Sequence, residues 1–270
     1  MRTLPLIIEP KDLEPLANDP DLLIVDMCKP QTYAQGHIPG AVHLEYAAII
    51  LGLKPVPGLL PDEARLSSVF SGIGLTPDKH VVAYDEEGSS RASRLIWTLD
   101  VIGHTSASAL NGGIFAWANE GHPLSSEPGT PTPSQYRASI GERGVATRDY
   151  IERRLNDPSV ALLDARTPEE YNGTKVRAAR SGHIPGAVNF NWLDALDGNR
   201  NYRLLSDEQL RSMLSARGIR PDQEVIAYCH TNHRSSHSYL MLRHLGYESV
   251  RAYPGSWSEW GNAADTPIET

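Results

Sequence analysis

Gly36-His-Ile-Pro-Gly-Ala-Val42 returns unchanged as Gly182-His-Ile-Pro-Gly-Ala-Val188, 146 residues further along the chain. Seven identical residues point to an internal repeat, and the surrounding sequence repeats with them. Val25-Asp-Met-Cys-Lys-Pro-Gln-Thr-Tyr33 is answered by Leu163-Asp-Ala-Arg-Thr-Pro-Glu-Glu-Tyr171, after which the second copy carries eight extra residues before its glycine. HVVAYDEEGSSRAS (His80–Ser93) is answered by EVIAYCHTNHRSSH (Glu224–His237), which pairs Asp85 with Cys229. LNGGIFAW (Leu110–Trp117) is answered by AYPGSWSEW (Ala252–Trp260). Order and spacing hold throughout, so the chain is a duplicated domain.

The chain has 270 residues, 40% of them hydrophobic and 21% charged, which supplies cores for two domains and excludes disorder along its length. Its formal charge is −8, the wrong sign for a general nucleic-acid or anionic-membrane binder. An anionic ligand must therefore be held by a local site against the global field. The two cysteines, Cys28 and Cys229, exclude a disulfide scaffold and a thiolate-rich metal cluster. No stretch has the composition of a signal peptide or the ~20 apolar residues of a membrane span, so a cytoplasmic protein is expected.

Ser125-Ser-Glu-Pro-Gly-Thr-Pro-Thr-Pro-Ser134 reads as an extended linker. The expected domains are residues 1–124 and 136–270, joined by 125–135. Short apolar runs (Leu22–Val25, His80–Tyr84, Ala161–Leu163, Glu224–Tyr228) read as buried parallel strands. They alternate with helical stretches over Arg91–Val101, Thr147–Leu155, Ser206–Arg217 and Ser235–Leu245, with Ser206 or Asp207 as an N-cap. The fold class is α/β, each domain a mostly parallel sheet with helices on both faces. Ligands in such sheets sit beyond the carboxyl ends of the strands, where Cys229 falls.

Cys229 is followed by His230-Thr-Asn-His-Arg234 and then a helix, so backbone N–H groups can converge on its sulfur. The same arrangement lowers a thiol pKa. An ordinary cysteine is about 3% thiolate at pH 7, and a drop of ~2 units gives roughly three quarters. Arg234 and any protonated His230 or His233 are expected to push the same way. A cysteine phosphatase would need five residues between nucleophile and arginine; here there are four, a ring suited to a single sulfur atom. A papain-like protease lacks a local signature, and a metal site from Cys229, His230, His233 and His237 demands a convergence that loops seldom achieve.

Together these segments resemble the two-domain rhodanese family, which comprises thiosulfate:cyanide and 3-mercaptopyruvate sulfurtransferases. The resemblance covers nearly the whole chain. It implies two rhodanese-like domains, with Asp85 in place of the nucleophile in an inactive first copy that closes one side of the cleft. It implies a ping-pong reaction through a Cys229 persulfide, without cofactor or metal, moving sulfur from thiosulfate to cyanide or another thiophile. The backbone from His230 through Thr231, Asn232, His233 and Arg234 to Ser235 would surround that persulfide. Arg166 matches the family's arginine at the mouth, and Trp192 is expected near the loop. His37 and His183 occur in both copies and read as structural; Cys28 reads as a packed strand-end residue.

The chain departs from the vertebrate-type pattern CRKGVT, since Thr231 replaces its lysine, and from CG[ST]GV[TS] of the mercaptopyruvate enzymes. Glu170 stands where the latter use a second arginine, which favours thiosulfate over mercaptopyruvate. A persulfide carrier serving a protein or thiol partner is the alternative. Neither nucleic acid nor membrane is an expected partner, and a monomer is the default.

Overall fold

The computed structural model describes residues 4–270, and the repeat is visible in it strand for strand. The first sheet runs in the order Ile7–Ile8, Ala107–Leu110, His80–Tyr84, Leu22–Asp26, Val42–His43, all parallel. The second runs Val250–Ala252, Glu224–Tyr228, Val160–Asp164, Val188–Asn189, again parallel. Even the register repeats: Asp26 lies opposite Tyr84, and Asp164 opposite Tyr228. Strands buried on both faces can be apolar along their whole length, and Leu22–Asp26 and His80–Tyr84 are buried at every position.

Each repeated heptapeptide is a tight turn that ties a loop to the strand ends. Pro39 and Pro185 fix the first central position, while Gly40 (φ +78°) and Gly186 (φ +73°) take the left-handed one. The turns close through Ala41 N–H to Ile38 C=O (2.9 Å) and Ala187 N–H to Ile184 C=O (3.0 Å). The preceding isoleucine is fully buried in both, and its N–H donates to the strand-end tyrosine hydroxyl, Tyr84 or Tyr228, at 3.1 Å. Burying such a side chain contributes about 1.5–3 kcal/mol. His37 stacks on Tyr33 and His183 on Tyr171, each with Nδ1 on that tyrosine's carbonyl oxygen.

The expected helices are present as Ser90–Val101, Arg148–Glu152, Asp207–Ser215 and Arg234–His244. Ser206 caps the third in a capping box with Gln209. The second is shorter than its pattern suggests, and Asn156 just beyond it lies in the left-handed region. A further helix, Glu63–Gly72, had no counterpart among the sequence expectations.

The compact units differ from a contiguous division of the chain. One comprises Met1–Ile49, Pro61–Gly141 and Asp197–Leu204; the other Ile50–Leu60, Glu142–Leu196 and Leu205–Thr270. The supposed linker is part of the first unit. Ser125 forms a bridge with His37, Gly129 N–H donates to the Tyr33 hydroxyl at 2.9 Å, and Ser134 N–H to Ser71 C=O at 2.9 Å. The second unit shows why: there Glu269, near the chain's end, bridges His183 in the same way. The proline-rich stretch is the closing segment of the first repeat. Among the described residues, no helix is long and apolar enough to cross a membrane.

Candidate active site

The strand Glu224–Tyr228 delivers its chain into Cys229, and the helix Arg234–His244 receives it five residues later. So short a connection requires a sharp reversal, which Asn232 makes at φ +54°. Ser256, at the start of the helix Ser256–Trp260, fixes the turn from behind. Its Oγ accepts from Cys229 N–H (3.3 Å) and Asn232 N–H (3.1 Å) and donates to Tyr253 C=O (2.7 Å). Trp257 and Ser258 N–H groups bind the carbonyls of Cys229 and His230, each at 3.0 Å. Those carbonyl oxygens are thereby satisfied within the chain. Gly58 lies over the loop; a Cβ there would sit 2.2 Å from Thr231 O, so only glycine permits this approach.

Cys229 is fully buried. Burial, the largest single influence on its thiol, resists ionisation. The Arg234 guanidinium, Ser235 Oγ and the N–H groups of Ser235 and Thr231 together outweigh it and draw the thiol below its ordinary value. Ser235 Oγ stands 3.4 Å from Cys229 Sγ and 2.8 Å from Asn232 Oδ1, one hydroxyl proton between two acceptors. The loop's N–H groups thus divide their work. Those of Thr231 and Ser235 serve the sulfur, whereas that of Asn232 serves Ser256, contrary to a ring donating at every residue.

His230 does not supply the expected charge. Burial, then the Arg234 field, lowers the His230 pKa below its usual value, so its ring is neutral at pH 7. His237 is buried and drawn down to about 4. The cation is Arg234, gripped by Glu170 through Nη1–Oε2 (2.6 Å) and Nη2–Oε1 (3.0 Å). Burial opposes the Glu170 charge, but Arg234 and the Thr167 N–H hold that carboxyl down at about 2.

Arg166 is not at a solvent-facing mouth. It is 1% exposed, and its guanidinium is taken by Asp164 (Nε–Oδ1 2.9 Å, Nη2–Oδ2 2.5 Å) and Gly182 C=O (2.8 Å). It also lies over the Trp257 ring, 4.5 Å from its centroid. The aspartate two residues earlier captures it before any ligand could. Arg177, missed in the sequence, is 51% exposed with Nε 3.6 Å from Glu170 Oε1. It sits within the eight residues that the second copy has and the first lacks, which was the signal available. Trp192 is half-buried and meets His237 edge-on at 5.4 Å, on the helix that follows the loop. Among the described residues, no group of three or more His, Cys, Asp and Glu side chains could hold a metal ion.

Comparison with known proteins matches the rhodanese-like domain twice, at residues 9–120 and 147–263. The chain belongs to the rhodanese family. It is 45% identical to a thiosulfate sulfurtransferase of Azotobacter vinelandii, over 99% of this chain and 98% of that one. It is 31% identical to "Sulfur carrier protein TtuD" of Thermus thermophilus, over 97% of this chain and 92% of that one. The anaerobic ergothioneine biosynthesis enzyme of Chlorobium limicola shares the fold, with TM-score 0.87 at 21% identity over 98% of this chain and 70% of that one.

The first rhodanese domain holds the same loop with a different occupant. Asp85 Oδ1 accepts from Glu87 N–H (2.7 Å) and Ser89 N–H (2.9 Å), and Oδ2 from Arg91 N–H (2.7 Å) and Ala92 N–H (2.9 Å). Burial lifts this carboxyl above its usual range while the four donors oppose that shift. Ile114 N–H binds the Asp85 carbonyl at 3.0 Å, as Trp257 binds that of Cys229. Cys28 is buried beyond the strand Leu22–Asp26, and both cysteines are free thiols. Burial, reinforced by Asp26, pushes the Cys28 thiol far up, so it is inert as a nucleophile.

Proposed function

We propose that this chain moves sulfane sulfur from thiosulfate to cyanide or another thiophile through a persulfide on Cys229. The observation that carries the reading is the buried sulfur with its thiolate favoured by Arg234, Ser235 and two loop N–H groups. The Cys229 thiolate attacks the outer sulfur of thiosulfate, the S–S bond breaks, and sulfite leaves with the bonding pair. The terminal sulfur of the persulfide carries the negative charge, which the Thr231 and Ser235 donors stabilise. Cyanide attacks that sulfur, thiocyanate departs, and the thiolate returns. No external proton donor is required in either half.

Arg177 is the exposed cation beside the site and the better candidate to receive a dianionic donor; Arg166 shapes the wall behind it. Trp192, His230, Thr231, Asn232 and His233 line or support the same loop in this reading. The cytoplasm, where Cys28 and Cys229 stay reduced, and a monomeric state complete it.

The test is intact mass after thiosulfate and again after cyanide. Uptake of one sulfur atom, its removal with thiocyanate release, and no uptake by Cys229→Ala are expected. Failure of any sulfur donor to load Cys229 would overturn the reading. The likeness to a sulfur carrier protein favours a second one, in which a protein thiol takes the sulfur faster than cyanide does.

A further inference from the structure

Glu170 takes no step in this reaction, yet its surroundings are tightly specified. It lies in the short helix Pro168–Tyr171, where a capping box joins it to Thr167 in both directions. The side chain is 1% exposed. A carboxylate so placed is unfavourable unless paired; it finds the two-pronged contact with Arg234 and, more loosely at 3.6 Å, the exposed Arg177. Arg234 is the first residue of the helix after the nucleophile loop, on a long and otherwise adaptable stem. Glu170 is 64 residues away in sequence, in the helix that follows the neighbouring strand Val160–Asp164.

We propose that Glu170 is a positioning residue that holds the Arg234 guanidinium where its field reaches Cys229 and so sets the fraction of reactive thiolate. The proposal rests on Cys229 being the nucleophile of the reaction above. Arg234 is the foremost influence favouring the thiolate against burial. Without its carboxylate partner, that cation is free to extend into water, where solvent screens it. The thiol then returns toward its ordinary value. Glu170 touches neither donor nor sulfur; it acts through Arg234.

The experiment follows alkylation of Cys229 by iodoacetamide against pH in the full-length protein, with the modified peptide identified by mass. Glu170→Ala should move the midpoint up by about one pH unit and slow alkylation about tenfold at pH values well below the midpoint, less near it, with the high-pH plateau unchanged. Arg234→Gln should give a similar shift, and the double variant no more than Arg234→Gln by itself. Glu170→Asp keeps the charge on a stem one methylene shorter, too short to keep both contacts, and should give a smaller upward shift. An unmoved or lowered midpoint in Glu170→Ala, or additive shifts in the double variant, would overturn the proposal. Should the alanine variant fail to fold, an unmoved midpoint in Glu170→Asp decides against it. Alkylation needs neither sulfur donor nor acceptor, so a wrong donor assignment would leave this result standing.

Discussion

Two loops of one design hold two different charges. Around Asp85 the backbone donors close on a carboxylate that belongs to the chain itself, four N–H groups on two oxygens. Around Cys229 fewer donors reach the residue's own atom, and the rest of the stabilisation comes from Arg234 and the Ser235 hydroxyl. A ring that is filled has no capacity left for an incoming anion. A ring with a single sulfur at its base can accept one more. The turn residues follow the same division: Gly88 (φ +64°) makes the reversal in the first loop and Asn232 (φ +54°) in the second. Gly88 itself has no side chain to contribute, whereas the Asn232 amide oxygen engages Ser235 at 2.8 Å. The two loops thus differ in their occupant and also in one backbone turn, since Ser89 (φ +67°) is left-handed where its counterpart His233 (φ −89°) is not.

The sharpest way to break this comparison is to move the first occupant into the second ring. Cys229→Asp should abolish sulfur uptake from thiosulfate entirely while the melting temperature stays level or rises, because the ring gains a built-in anion. A marked fall in melting temperature would show the two rings to be unlike. Emptying the first ring should cost stability and spare turnover. Asp85→Ala leaves four N–H groups without their acceptor, two of them buried, at about 1–3 kcal/mol for those that water cannot reach. Urea unfolding should register a loss on the order of 3 kcal/mol, with thiosulfate turnover within about twofold of the parent. The smallest effect is expected at the mouth. Arg177→Gln should raise KM for thiosulfate by about 3–10-fold with kcat nearly unchanged, the mark of lost ground-state attraction at an exposed site. An unchanged KM would remove Arg177 from donor recognition.

Much of this arrangement was legible in the repeat. Four of the strands, the reversal after Cys229 and the replacement of the nucleophile by Asp85 all follow from aligning one half with the other. What the repeat could not disclose is contact made by residues without a counterpart. Arg166 stands where the first copy has Cys28, so nothing in that copy warned that Asp164 would seize its side chain. The Glu170–Arg234 pair joins positions 64 residues apart, and sequence spacing contains no trace of it. His230 misled for a physical reason. In a loop this enclosed, with arginines near, burial and like charge keep His230 neutral. The linker misled because prolines signal extension, and extension is equally what an edge-bridging segment such as Ser125 requires.

The passage of Gly58 over Thr231 has a bearing on how this protein could ever be divided. Ile50–Leu60 folds back on itself, with Leu51 N–H on Leu59 C=O at 2.7 Å, and is counted with the unit that carries Cys229. Cutting the gene at its proline-rich stretch would therefore yield a catalytic fragment whose nucleophile loop is left uncovered on one side. The duplicated halves have exchanged short stretches of chain, Ile50–Leu60 in one direction and Asp197–Leu204 in the other. Deletion of residues 50–60 should therefore lower sulfur uptake at Cys229, whereas point mutation of Asp85 should leave it nearly unchanged.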